Sequence, residues 1–185
     1  MGGWLYKLER KIGRFSVPNL MLIIVAGMFA VFAVDFLLAG TGSGYSLASW
    51  LYLSRDLVLQ GQVWRLITFI FVPMNSSPIW VLFTLYFYYL IGTTLERAWG
   101  SFKFNVYYLC GMLGAIIAAA ITGFGNNSYL NLSLFFAYAI LFPDTEFMLF
   151  FILPVKAKYL GFFNAALYVV SLITGTWVMR AALIA

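Results

Sequence analysis

The sequence predicts an all-α fold, a polytopic bundle of membrane-spanning helices, and two observations carry that expectation. Of the 185 residues, 64% are hydrophobic and only 9% are charged, where a soluble domain carries about 25% charged residues. Such a chain lacks the polar side chains to cover itself in water, so the bilayer must be its solvent. The apolar residues also fall in long unbroken runs. They do not show the short apolar-out, polar-in segments of an outer-membrane barrel.

About 20 apolar residues cross a bilayer, and five runs predict spans at roughly 18–39, 78–95, 104–123, 129–142 and 159–176. Residues 1–17 read as a basic, amphipathic start on the cytoplasmic side. Residues 40–77 read as an interfacial loop, and Ser46–Val63 within it is amphipathic. Trp50, Leu53, Leu57 and Val58 recur there at helical spacing, and Ser54, Arg55, Asp56 and Gln60 are polar. A helix of this kind lies in the plane of the interface. FMLFFILPV at 147–155 is a second interfacial patch, bent by Pro154. Residues 177–185, WVMRAALIA, read as the start of a sixth helix, either short or completed beyond Ala185 in a longer protein. The whole of 1–185 forms one transmembrane domain on this reading.

The fourth run is the informative one. Its 14 residues make about 21 Å of helix, against a hydrocarbon core of roughly 30 Å. It opens on the polar cluster NNSYLN at 126–131. If its other end sits at the membrane surface near Pro143, this cluster lies at a depth where polar backbone survives only inside protein or around a wet cavity. A water-filled recess lined by Asn126, Asn127, Ser128, Tyr129 and Asn131 is expected.

Orientation follows from the basic residues. Lys7, Arg10, Lys11 and Arg14 precede the first run, Arg97 and Lys103 separate the second and third, and Lys156 and Lys158 separate the fourth and fifth. With alternating spans, eight of the 11 basic residues share one side, leaving Arg55, Arg65 and Arg180 on the other. The basic side is cytoplasmic, so the amino terminus is placed there. The membrane is read as a bacterial inner membrane, with the endoplasmic reticulum as the alternative. The net charge of +5 reflects these loops and not a nucleic-acid surface. Cys110, alone and mid-span, reads as a packing residue and excludes an internal disulfide.

Three stretches give the chain a family resemblance. GQVWRLITFIF at 61–71 carries Trp64 and Arg65. GTTLERAWGSFKF at 92–104 carries Gly92, Glu96, Gly100 and Phe104 in a GxxxExxxGxxxF pattern. FFAYAILFPDTEFMLFFILPVKAKY follows at 135–159. In this order and topology, most of residues 18–176 resembles the rhomboid superfamily, which holds intramembrane serine proteases and inactive relatives such as the Derlins. Each motif also has a physical reading. Gly92 and Gly100 allow close backbone approach beside Glu96. Glu96 can pair with Arg97 or Lys103, or bond to backbone nearby. Trp64 suits the headgroup level, and Arg65 can snorkel or grip a loop carbonyl or a lipid phosphate.

The resemblance implies a Ser–His dyad, with the serine in a GxSG motif opening the fourth span and a His and an Asn of the second span at the oxyanion. Counting back 15 residues from Pro143 places that serine at Ser128, with Asn126 and Tyr129 where the family has glycine. A ring at position 129 would block or reshape the pocket. Trp80 and Thr84 stand where the family has its span-two His and Asn, and the resemblance adds them to the expected lining of the recess. The chain contains no histidine at all, and a serine hydroxyl without an adjacent base is a weak nucleophile. Lys156 and Lys158 fall at the opposite membrane face from Ser128. Asp35 is the only acid deep in a span, near the outer end of the first run, where it can cap that helix. No spacing of ligands suits zinc, and no cofactor is implied.

The expectation is therefore a catalytically inactive, rhomboid-like pseudoprotease. It would bind transmembrane helices of client proteins for quality control or assembly, alongside a membrane-bound protease or an assembly partner. An active intramembrane serine endopeptidase using Ser128 is the alternative. A transporter is the third reading, without the inverted repeats or intramembrane charge pairs it calls for.

Overall fold

In a computed structural model of the chain, the described residues are 10, 13, 16–42, 44–74, 77–149 and 153–174. The first helix, α1, runs from Leu20 to Gly40. Short pieces follow: α2 (Leu47–Leu51), β1 (Leu53–Ser54), α3 (Arg55–Leu59) and α4 (Arg65–Thr68), which passes into a 3-10 turn at Phe69–Phe71. Then come α5 (Pro78–Trp99), α6 (Ser101–Thr122), β2 (Phe124–Gly125), α7 (Ser128–Leu141), β3 (Glu146–Leu149), β4 (Leu153–Lys156) and α8 (Ala157–Thr174). Among the described residues, α1, α5 and α6 are long and apolar enough to cross a membrane, and α7 is a shorter apolar helix.

Local chemistry sets the boundaries. Pro78 opens α5 at a position where its missing N–H costs nothing. Gly100 ends it with φ 85° and ψ 150°, a conformation open essentially to glycine alone, and α6 starts at the next residue. Gly123 closes α6 in the left-handed region, the usual place for a glycine after a helix.

α1 packs along α5, and α7 lies against α5, α6 and α8. Met21, Ile24 and Met28 of α1 are buried against a core that includes Leu85, Ile91 and Leu95 of α5, Phe104 of α6 and Leu134 of α7. Gly92 makes the first contact close, because a Cβ at that position would run into the Met21 side chain.

The helices fall within a few residues of the five apolar runs. Three local expectations change. The amphipathic segment at 46–63 is not one helix: it divides into α2 and α3 around β1, because Leu53 and Ser54 pair in antiparallel fashion with Gly125 and Phe124. Within the patch at 147–155, residues 147–149 and 153–155 are paired antiparallel strand, with Phe147 opposite Val155 and Leu149 opposite Leu153. Cys110 faces outward and not into the core. The expected sixth helix at 177–185 and almost all of the basic start at 1–17 lie outside the described residues.

Candidate functional site: a polar recess at the start of α7

The short connections between the helices build the site. Arg65 is only 3% exposed. Its guanidinium donates to Gln62 Oε1 at 2.8 Å, to Ser49 O at 3.1 Å and to Tyr52 O at 2.9 Å, and it lies 5.0 Å from the centre of the Tyr52 ring. Of the readings open to it, gripping loop carbonyls is the one it adopts. Trp64 is half-exposed and donates its indole N–H to Trp50 O at 3.4 Å. The first loop is thus folded onto α4. Asp35 ties the same loop to α1, but it caps the next helix and not its own. Its carboxylate accepts from the backbone N–H groups of Leu47 and Ala48 and from Ser46 Oγ at the start of α2.

The pairing of β1 with β2 then brings this loop over the turn between α6 and α7. Gly125 leaves no room for a side chain: a Cβ there would sit 2.7 Å from Leu53 Cδ2 and 2.9 Å from Ala119 Cβ. Asn127 is buried and completes the junction, its amide donating to Ile70 O at 3.2 Å and Val72 O at 3.0 Å.

These contacts leave a recess of about 240 Å³ lined by Tyr52, Phe69, Val72, Pro73, Met74, Gly125, Asn126, Asn127 and Ser128. Ser128 is the first residue of α7, and its backbone N–H donates to Asn126 Oδ1 at 3.0 Å. The structure thus brings Asn126, Asn127 and Ser128 to one cavity and sets the other expected lining residues elsewhere. Tyr129 is 38% exposed and outside the recess wall. Trp80 is half-exposed and meets Phe83 edge-on at 6.4 Å. Thr84 lines a separate cavity of about 10 Å³ with Met28 and Tyr88. Asn131, only 3% exposed, faces into the bundle. Tyr52 and Met74, which form much of the remaining wall, carry no spacing signal in the sequence, because non-local loop packing puts them there.

The other end of the bundle holds the second motif. Glu96 is buried and pairs with neither Arg97 nor Lys103. Its Oε1 accepts from the Asn19 backbone N–H at 2.7 Å and from Ser101 Oγ at 2.9 Å, which fixes the start of α1 to the α5–α6 turn. Phe104 is fully buried beside Tyr108. Beyond the far end of α7, Lys158 and Lys156 pair with Asp144 at 3.0 Å and 3.6 Å. Lys158 holds the Asp144 carboxyl below the usual carboxylate range, first by hydrogen bonding and then by charge, and Lys156 adds to the effect.

The family model of the Der1-like family matches residues 43–184. The chain belongs to the Der1-like family. Over 73 residues it is also 37% identical to Rhomboid-like protease 1 of Toxoplasma gondii. That match covers 39% of this Der1-like chain and 24% of the relative, so the chain spans about a quarter of the protease it matches. The protein is a rhomboid-like integral membrane protein, and the residues that line the recess, from Tyr52 to Ser128, all lie within those the family model matches.

Proposed function

We propose that this Der1-like chain is a pseudoprotease, catalytically inactive, that uses the recess at the start of α7 to bind transmembrane segments of client membrane proteins. One observation carries the reading. Ser128 shares a cavity of about 240 Å³ with amides and apolar side chains, and the chain holds no histidine to act as its base. An amide-lined recess can satisfy a polar or unwound stretch of helix that is unstable in lipid. The outcome for the client is quality control or assembly, with a membrane-bound protease or an assembly partner receiving it. Residues 1–185 act as one rhomboid-like transmembrane domain, with the amino terminus cytoplasmic. The membrane is read as the bacterial inner membrane, or alternatively that of the endoplasmic reticulum.

The relative from Toxoplasma gondii is named as a protease, which makes an active rhomboid endopeptidase the second reading. The test uses the purified chain in vesicles with two labelled polyleucine transmembrane peptides, one carrying a central asparagine. Energy transfer should show the asparagine peptide binding roughly fivefold tighter, about 1 kcal/mol, and Asn126→Ala should erase the preference. Equal binding of the two peptides would sink the proposal. Cleavage of a transmembrane substrate that disappears in Ser128→Ala would replace it with the second reading.

A further inference from the structure

Asp35 carries a charge that no described cation cancels. It sits on α1, about 7.5 Å short of the end of that helix at Gly40. Its described partners are the Ser46 hydroxyl at 3.0 Å and the backbone N–H groups of Leu47 and Ala48. All three donors are neutral, so they spread the negative charge without cancelling it. Among the described residues, the acids that pair with lysine or arginine are Asp56 and Asp144, and Asp35 is not one of them. An ionisable side chain at membrane depth is expensive unless a partner of opposite sign reaches it.

The same residue borders open space. A cavity of about 320 Å³ is lined by Asp35, Ser46, Phe32 and Phe36, with Pro73 and Met74 as further wall. The Phe32 and Phe36 rings, with centroids 5.9 Å apart, form an aromatic side to it. A carboxylate beside aromatic rings suits an organic cation, because the acid supplies the charge and ring faces attract cations. Pro73 and Met74 also line the polar recess, so the two cavities adjoin across these two residues. The Asn127 amide, by holding Val72 O, fixes the start of that partition. A wall this thin is on the order of one helical turn, about 5.4 Å. A segment seated in the recess can therefore present its next turn to Asp35.

We propose that the Asp35 cavity is a second subsite for the client, taking a lysine or arginine side chain whose cationic head meets the carboxylate. The inference rests on the reading of the recess as a client-binding site, and it names the client's chemistry: a transmembrane segment with a polar residue and a basic residue one turn apart. A basic residue is itself costly in lipid, and its long apolar stem can run along the aromatic wall to the acid. Client and protein each bring a charge that the bilayer penalises, and binding pairs them.

The test adds a lysine to the asparagine-bearing polyleucine peptide, four residues before or after the asparagine, so that both share a helix face. Glutamine and glutamate at the same positions serve as counterparts, and binding to the full chain is measured in phosphatidylcholine vesicles. At one of the two positions, lysine should bind several-fold tighter than glutamine, and glutamate more weakly than glutamine. Asp35→Asn should abolish the lysine preference and leave the preference for asparagine over plain polyleucine in place. Equal binding of the lysine and glutamine peptides at both positions would overturn the subsite. So would a lysine preference undiminished in folded Asp35→Asn, because the cation would then be held elsewhere. If that variant does not fold, the order of lysine, glutamine and glutamate in the unmodified protein decides alone. The peptide with asparagine alone reports on the recess, so failure of the recess and failure of this subsite are read from different peptides.

Discussion

Arg65 is buried because its planar fork meets three acceptors at once, two of them backbone carbonyls of the first loop. Arg65→Ala removes their donor, at about 1–3 kcal/mol for each group left dry. Arg65→Lys should recover little, since a point charge cannot reproduce the fork. Thermal unfolding in micelles followed by circular dichroism should show a lowered midpoint for both variants. The Trp64–Arg65 pair was visible in the sequence as a motif, but its partners were not. Ser49 and Tyr52 lie 16 and 13 residues away, and nothing in a linear pattern marks which carbonyls a guanidinium will reach. The recess divides in the same way. Asn126, Asn127 and Ser128 are consecutive and could be read together, whereas Tyr52 and Met74 reach the wall through folding of the loop.

Apolar runs located the five main helices because burial in lipid depends on length and composition, both local properties. The strands escaped because pairing is not local. Leu53 pairs with Gly125, far away in the sequence, and that pairing, not the periodicity of 46–63, decides where α2 ends and α3 begins. The pairing of β3 with β4 hides inside an apolar stretch whose composition suits helix and strand alike. Beside that strand pair, Asp144 gives a prediction in pH. Its carboxyl titrates below the unfolded range because Lys158 and Lys156 favour the charged form. The native state therefore binds fewer protons than the unfolded chain, and the contribution is present at neutral pH and is lost as pH falls through the depressed native value. The pair is exposed to solvent and screened by salt. Hydrogen exchange should show residues 143–158 better protected than in Asp144→Asn at neutral pH and low salt. That difference should shrink as pH drops below about 4.

The molecule combines helices of unequal reach. α5 and α6 have 22 residues each and α7 has 14, about 33 Å against about 21 Å. A bilayer cannot match both lengths, and mismatch costs fractions of a kcal/mol per Å, met by thinning or tilt. The chain should therefore unfold at a higher temperature in dimyristoyl vesicles than in dierucoyl vesicles. A midpoint that does not change between the two would mean that α7 is shielded from lipid on all sides.

The junction at Asn127 also sets a timetable for biosynthesis. The carbonyls of Ile70 and Val72 are held by an amide that lies 57 and 55 residues later in the chain. At about 5–20 residues per second, the ribosome needs roughly 3–11 s to supply it. Until then the loop after α1 has neither its amide clasp nor its strand partner, so it waits at the membrane surface while two further helices are made. A nascent chain stalled in that interval would display an unfinished loop, which closes only when Asn127 arrives at the start of α7.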